Sequence, residues 1–131
     1  MSHDTACIFC HKINCKVIST SNYFFIIRDT AYPVTKHHTL IITKRHVSDY
    51  FELSIDELND LHKILKDQKE KLLKLDKEIS GFNMGVNVGK DAGQSIMHCH
   101  VHLIPRRNGD IEDPRGGVRG VIPSKQKYNS N

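Results

Sequence analysis

The stretch that decides the fold spans residues 98–105 and reads HCHVHLIP. Three histidines occupy alternate positions, and the small or apolar residues Cys99, Val101 and Leu103 lie between and after them. Successive side chains of a β-strand point to opposite faces, so this alternation predicts a strand with histidines on one face and core residues on the other. We expect Pro105 to end the strand, because proline has no N–H for a ladder hydrogen bond.

The spacing along a strand limits what the three histidines can do together. Neighbours on one face lie about 7 Å apart, and the outer pair lies about 13 Å apart. Because imidazole nitrogen binds zinc at about 2.0–2.1 Å, one ion can take two adjacent histidines but not all three. At least one histidine is therefore available for other chemistry. The alternative is a partly exposed strand face whose histidines have no chemical role.

Length and charge place the chain in a broad class. Its 131 residues suit a single domain with one core. The formal net charge of +4 arises from interspersed basic and acidic residues, which permits a polyanionic ligand without requiring DNA or RNA. No N-terminal apolar run resembles a signal peptide and no segment is long enough to span a bilayer, so we expect a cytoplasmic protein with no membrane partner.

Two of the four cysteines, Cys7 and Cys10, form a Cys-x-x-Cys pair. Two thiolates at this spacing can bind one zinc ion, which takes four nitrogen or sulfur ligands in a tetrahedron. A redox pair of the thioredoxin type needs a preceding strand, and only the polar residues 1–6, which we expect to be frayed, precede Cys7. Zinc is therefore favoured over a redox pair or plain core cysteines, with histidines as the obvious source of further ligands.

Apolar runs predict three more strands, at residues 23–28, 38–43 and 82–88. The first two form an antiparallel pair. His46 follows the second strand, and it would be an ordinary loop histidine unless it serves as a zinc ligand.

A long helix separates the two pairs of predicted strands. Ser54 and Glu57 form a capping box at its start, and leucines at three- and four-residue spacing give it an apolar stripe. We expect the helix to run to about Ile79, with Gly81 as its C-cap. The resulting order of strand, strand, helix, strand, strand predicts an α+β domain whose antiparallel sheet carries the long helix on one face.

The loop at residues 89–95 reads GKDAGQS and leads into the histidine strand. It lacks the Gly-Lys-Ser/Thr ending of a Walker-type loop. Its glycines nevertheless let backbone N–H groups approach a ligand, and Asn87, Gln94 and Ser95 add polar side chains.

The C-terminal residues are basic and rich in glycine over 106–123. Their composition is compatible with a segment that folds over a site, one that contacts a partner subunit, or a solvated end. We expect residues 124–131 to be disordered.

Taken together, these motifs resemble one family. The pattern His98-x-His100-x-His102 resembles the signature of the histidine triad (HIT) family of nucleotide-binding hydrolases and transferases, and Asn87-x-Gly89-x-x-x-Gly93-Gln94-Ser95 is similar to its phosphate-binding loop. The resemblance covers about residues 7–107, so we expect a HIT domain there and a C-terminal tail at 108–131. The tail is similar to that of bacterial members labelled as diadenosine tetraphosphate hydrolase-like.

The resemblance implies a nucleotide hydrolase in which His100 attacks the α-phosphorus of a purine nucleoside phosphoramidate or dinucleoside polyphosphate. A nucleotidyl-histidine intermediate then releases a nucleoside monophosphate. Asp29 would bind the ribose, while other residues would contact the phosphate oxygens or line the base pocket. The implied substrate-binding residues are Ile8, Phe9, Ile27, Asp29, Asn87, Gly93, Gln94, Ser95 and His102. A nucleotidyltransferase of the same fold and a nucleotide-binding partner protein with little turnover are the alternatives.

The resemblance also implies a metal and an oligomer. Zinc-containing members use an N-terminal Cys-x-x-Cys pair, a histidine after the second strand and the first histidine of the triad. Here those ligands are Cys7, Cys10, His46 and His98, and the structural Zn²⁺ would leave His100 free. A homodimer formed through the long helix and an edge strand is the implied assembly.

Overall fold

One antiparallel sheet of five strands organises the chain, which the computed structural model describes over residues 7–12 and 15–128. The strands are β1 (Val17–Thr20), β2 (Phe24–Arg28), β3 (Thr39–Thr43), β4 (Ile79–Gly85) and β5 (His100–Arg107), and their order in the sheet is β1-β2-β3-β5-β4. A single long helix, α1 (Ile55–Leu75), connects β3 to β4. The predicted α+β class is confirmed. The expected fraying of residues 1–6 lies outside the described residues.

The alternation of side chains along the strands gives the sheet two apolar faces. The face that packs on α1 buries Phe24, Ile26, Ile41 and Val101 against Leu61 and Ile64 of the helix. The opposite face buries Phe25, Ile27, Leu40 and Ile42 under Cys7 and Phe9 of the N-terminal segment. The helix therefore covers one face of the sheet, and the N-terminal segment and the histidines lie on the other face. Within the described part of the chain, no helix is long and apolar enough to cross a bilayer.

The predicted capping box begins α1. The Ser54 hydroxyl accepts a hydrogen bond from the Glu57 backbone N–H at 3.1 Å, and the Glu57 carboxylate accepts one from the Ser54 N–H at 2.9 Å. Two N–H groups that the helix itself leaves without partners are satisfied in this way.

The predicted end of the helix is wrong. The last helical residue is Leu75, and the C-cap is Asp76 rather than Gly81. The Asp76 carboxylate accepts a hydrogen bond from the Glu78 N–H at 2.9 Å, a local side-chain bond that competes with continued helix. Ile79 fits the helical spacing by chance, but it is the first residue of β4, and Gly81 lies inside that strand.

Strand boundaries also differ from the prediction. β4 begins at Ile79 rather than at residue 82, and β1, a four-residue strand with an irregular register, was not predicted. β5 begins at His100, so His98 precedes the strand, and β5 continues through Pro105. The Pro105 carbonyl accepts from the Thr35 hydroxyl at 2.7 Å, on the side of β3 but beyond its end. In an antiparallel sheet the N–H and C=O of one residue point to the same neighbouring strand. Since β3 does not extend as far as Pro105, the missing N–H of the proline costs no ladder hydrogen bond.

The tail is ordered farther than expected. Two 3-10 helices span Gly117–Val121 and Pro123–Lys125. Arg119 joins them by donating hydrogen bonds to the backbone carbonyls of Lys125 at 2.9 Å and Gln126 at 3.2 Å. The expected disorder of residues 124–131 is therefore wrong for the first five of them, and 129–131 lie outside the described residues.

The two sides of α1 predict different responses to truncation. Leu72 is fully buried with Ile79 and Leu103, whereas Leu75 is 62% exposed. We expect Leu72→Ala to lower the free energy of unfolding by roughly 2–5 kcal/mol, because it leaves a cavity in the core. The matched control Leu75→Ala should change it by about 0.5 kcal/mol or less. Urea denaturation measures both, and equal losses would contradict this packing of α1.

Candidate functional site

The histidine cluster forms where β3 and β5 lie side by side. His100 pairs with Ile42 and His102 pairs with Leu40, on the sheet face that α1 does not cover. His38 lies two residues before Leu40 and so points to the same face. The three imidazoles are therefore neighbours, with ring centroids 5.3 Å apart for His100 and His102 and 5.2 Å apart for His38 and His102.

One hydrogen bond decides the protonation pattern of His100. Its Nδ1 lies 2.9 Å from the backbone carbonyl oxygen of His98, which can only accept. Nδ1 therefore carries the proton, and Nε2 of the neutral ring keeps its lone pair. Burial lowers the pKa of His100, which keeps the ring neutral at pH 7. The arrangement leaves a nucleophilic nitrogen on a half-buried side chain.

The tautomer of His102 is set by a relay of three hydrogen-bonding groups. The Val34 backbone N–H donates to His38 Nδ1 at 3.0 Å, so the proton of neutral His38 is on Nε2. That Nε2–H donates to His102 Nδ1 at 2.9 Å, which places the proton of neutral His102 on Nε2. Burial first, and then the neighbouring His100 and His38, lower the pKa of His102 to about 4. His102 is therefore a neutral donor through Nε2.

Asp29 lies at the start of the turn after β2, close to the relay. One carboxylate oxygen accepts hydrogen bonds from the backbone N–H groups of Ala31 at 3.1 Å and Tyr32 at 3.0 Å. The other oxygen lies 3.9 Å from His38 Nδ1. One oxygen thus stabilises the turn, and the second faces the histidine cluster.

The loop before β5 has its own hydrogen bonding. Gly89 and Gly93 both adopt positive φ, at 91° and 92°, which favours glycine at each position. The Gly93 N–H donates to the Lys90 carbonyl at 2.9 Å, and the Gln94 N–H donates to that of Gly89 at 3.0 Å. These N–H groups hold the loop in shape. Ser95 is exposed at its end, and Asn87 is half-buried at its start.

Gln94 is 6% exposed, and its side chain bonds to backbone on three sides. Its oxygen accepts from the Gly89 N–H at 2.9 Å. Its amide nitrogen donates to the carbonyls of Ser48 at 2.6 Å and Ile96 at 3.1 Å. Both polar ends of the Gln94 side chain are therefore hydrogen-bonded to the protein backbone.

A second cluster contains the four predicted metal ligands. The ligand atoms of Cys7, Cys10, His46 and His98 all lie within 4.8 Å of one another. Cys7 Sγ is 3.3 Å from His98 Nδ1, Cys10 Sγ is 3.1 Å from His46 Nδ1, and the two Nδ1 atoms are 3.1 Å apart. A tetrahedral ion with bonds of about 2.0–2.3 Å separates its ligand atoms by about 3.3–3.8 Å. The two cysteines and two histidines are a donor set that zinc takes, and their ligand atoms lie close enough together for one ion.

The other ring nitrogen of His98 supports this orientation. His98 Nε2–H donates to the Thr43 carbonyl at 2.7 Å, so Nδ1 is the atom left with a lone pair toward the cluster. His46 is placed by its neighbour Arg45, whose guanidinium bonds to both carboxylate oxygens of the buried Glu57 at 2.7 and 3.0 Å. This ion pair joins the capping box of α1 to the segment that carries His46 of the second cluster.

The three residues assigned to the base pocket have different environments. Phe9 and Ile27 are buried in one cluster, and Ile8 is 40% exposed. Phe9 lies between the two cysteines in sequence and packs edge-on against the rings of His98 and His100, with centroids 5.9 and 5.1 Å away.

His38 has no role among the residues predicted from the sequence. The only signal in the sequence was its alternation with Leu40 and Ile42 in the strand pattern. The register that places it beside His102 is a tertiary property, and so is the Val34 N–H that determines its tautomer.

Comparison with known proteins agrees with this geometry. The signature of the HIT domain family matches residues 11–109. An uncharacterised HIT-like protein of Methanocaldococcus jannaschii is 38% identical over 88% of this chain and 91% of its own. A Candida albicans protein named adenosine 5′-monophosphoramidase is 32% identical over 82% of this chain and 75% of its own. A zinc-bound histidine triad family protein from Mycobacterium smegmatis has a TM-score of 0.73 at 28% identity, covering 82% of this chain and 80% of that one. The chain therefore belongs to the histidine triad family.

Proposed function

We propose that this protein is a nucleotide hydrolase that cleaves the bond to the α-phosphorus of a purine nucleoside phosphoramidate or dinucleoside polyphosphate. The observation that carries the proposal is the hydrogen bond from His100 Nδ1–H to the His98 carbonyl, which leaves Nε2 unprotonated. Family membership and the named phosphoramidase relative support a hydrolase.

In the first step, the Nε2 lone pair of His100 attacks the α-phosphorus. An N–P bond forms, the bond to the leaving oxygen or nitrogen breaks, and the leaving group departs with its electron pair and takes a proton from solvent. The nucleotidyl-histidine ring now carries a positive charge. The His98 carbonyl, 2.9 Å from Nδ1, stabilises that charge through the hydrogen bond it already accepts.

In the second step, water attacks phosphorus, the N–P bond breaks and the electron pair returns to His100 Nε2. A proton of the water goes to solvent, and a nucleoside monophosphate leaves. Splitting one displacement into two lowers each barrier. The Nε2–H of His102, oriented by His38, would donate to a non-bridging oxygen as negative charge develops there.

The remaining contacts would position the nucleotide. The exposed Ser95 and half-buried Asn87 are proposed to bind phosphate oxygens, and Gly93 allows the loop to turn beside them. The Asp29 oxygen that faces His38 is proposed to accept hydrogen bonds from the ribose. Ile8, Phe9 and Ile27 remain the predicted base pocket, with Ile8 as its exposed member.

Two alternatives use the same site to a different end. A nucleotidyltransferase would pass the nucleotidyl group from His100 to an acceptor other than water. A binding protein would hold the nucleotide with little turnover. The neutral, oriented His100 favours chemistry over binding alone, because a pure binding site does not need an unprotonated nitrogen.

We also propose that Cys7, Cys10, His46 and His98 hold a structural Zn²⁺. The convergence of two cysteines and two histidines supports it, as does the zinc-bound histidine triad family protein from Mycobacterium smegmatis. Four protein ligands leave no open position, so the ion would stabilise the fold around the site. His100 does not belong to the ligand set and stays available for attack.

Other expectations stay predictions. These are the HIT domain at residues 7–107 with a tail at 108–131, the cytoplasmic location and the homodimer. For the homodimer, β4 is an outer strand of the sheet, and the exposed Met84 on it (56%) offers an apolar contact to a second copy.

His100→Ala is expected to lower AMP release from adenosine 5′-phosphoramidate or diadenosine tetraphosphate by roughly a thousandfold or more, because it removes the nucleophile. The matched control is His62→Ala, which removes an exposed histidine of α1. Chromatographic quantification of AMP measures both. A near-normal rate for His100→Ala would contradict the assignment, whereas a wild type that binds nucleotide without cleaving it would favour the alternatives.

At pH 7 we expect His100 to carry its proton on Nδ1 and His102 on Nε2, as long-range ¹H–¹⁵N spectra would show. His102 should stay neutral down to about pH 4. Because burial also lowers the pKa of His100, kcat/KM should decline only below the ordinary histidine pKa of 6.5, where the nucleophile gains a proton. His38→Phe should allow both tautomers of His102, and a wild-type His102 protonated on Nδ1 would rule out the relay.

Cys10→Ser should lose stoichiometric zinc and lower the melting temperature, because it removes one ligand of a closed site. Cys15→Ser, outside the ligand set, is the control and should retain the metal. Elemental analysis of the purified proteins measures zinc per chain. Full zinc content in Cys10→Ser would remove this residue from the site.

A further inference from the structure

The hydrogen bonds of the Gln94 side chain join the segment after His46 to the loop before β5. One partner is the Gly89 N–H at 2.9 Å, at the start of the phosphate-binding loop. Another is the Ser48 carbonyl at 2.6 Å, two residues after the metal ligand His46. A third, the Ile96 carbonyl, lies at 3.1 Å on the path to β5. The side chain is 6% exposed, so these bonds are shielded from water.

The segment after His46 is also bonded to the catalytic strand. The Cys99 N–H donates to the Val47 carbonyl at 2.7 Å. Residues 46–48 therefore carry a metal ligand and contact both the phosphate-binding loop and the residue before His100. If this segment moved, the hydrogen bond from Gln94 to Ser48 would break. The Gln94 side-chain oxygen, which accepts from the Gly89 N–H, would then no longer be held in place.

We propose that Gln94 is a positioning residue that couples the metal centre to the phosphate-binding loop, so that zinc and the nucleotide bind with positive cooperativity. The inference rests on the proposed function, since it requires zinc at the Cys2His2 cluster and a nucleotide at the loop. It assigns Gln94 a role through the protein backbone: the residue holds Ser95 and Gly89 in place for the phosphate.

A side chain that only stabilised the fold would weaken both sites without linking them. Coupling between two ligands is reciprocal and measurable as a change in the affinity of one caused by the other. A second route between the clusters runs from His98 to His100 along the backbone, and Gln94 is not part of it. Substitution of Gln94 therefore separates the two routes.

The experiment uses the zinc-loaded full chain. Its apparent zinc affinity is measured by competition with a chromophoric chelator, without AMP and with saturating AMP, and AMP binding is measured by calorimetry. In the wild type we expect AMP to tighten zinc binding by about tenfold, within the usual range for coupled sites. Gln94→Met keeps the approximate shape and removes all three hydrogen bonds, so the ratio should fall several-fold toward one while AMP still binds, more weakly.

Two further variants make the result specific. Gln94→Glu keeps an acceptor for the Gly89 N–H but removes the amide donor to Ser48, and it should also lose the coupling. Asp91→Asn changes an exposed side chain of the same loop and should retain it. Circular dichroism and melting curves confirm that each variant folds, and Gln94→Glu serves if Gln94→Met does not.

The outcomes separate the inference from the proposed function. Undiminished coupling in folded Gln94 variants would overturn the role of Gln94. A wild type that binds both zinc and AMP without coupling would overturn the cooperativity and leave the hydrolase proposal intact. A wild type that neither binds AMP nor cleaves either substrate would contradict the proposed function, and the coupling with it.

Discussion

The environment of His98 is the constraint on which the site depends. Its carbonyl accepts the Nδ1 proton of His100, its Nε2–H bonds to the Thr43 carbonyl, and its Nδ1 points to the cluster formed with the cysteines and His46. These contacts hold both the ring and the backbone of this buried residue in place. The position before β5 therefore determines the orientation of His100, the proposed nucleophile.

Neutral imidazoles are a consequence of burial at the same place. The pKa values of His38, His100 and His102 are all lowered, in each case first by desolvation. Since a neutral imidazole has one donor and one acceptor nitrogen, a single backbone contact at each end suffices to set every tautomer. The Val34 N–H does so for His38 and His102, and the His98 carbonyl does so for His100.

The two faces of the sheet carry different sets of residues. Helix α1 covers one face with a leucine-rich stripe, and the histidines occupy the other face with Phe9 and the cysteines. The Arg45–Glu57 ion pair connects the segment after β3 to this helix, and the Gln94 amide joins loops at the end of the sheet to one another. These loops are thereby held by side chains that bond mostly to backbone groups.

The sequence by itself determined the α+β class, the histidine strand and the start of α1, because alternation and capping are local patterns that need no partner. Through a resemblance to a family it also predicted four metal-ligand candidates, and their side chains do converge. Two boundaries were decided by the folded structure. The helix ends at Leu75 because the Asp76 carboxylate bonds to the Glu78 N–H in a turn. The strand continues through Pro105 because no residue of β3 lies opposite it, so its missing N–H breaks no ladder hydrogen bond. The folded structure also decided the position of His38, because strand register, which depends on residues far apart in the chain, is what places it beside His102.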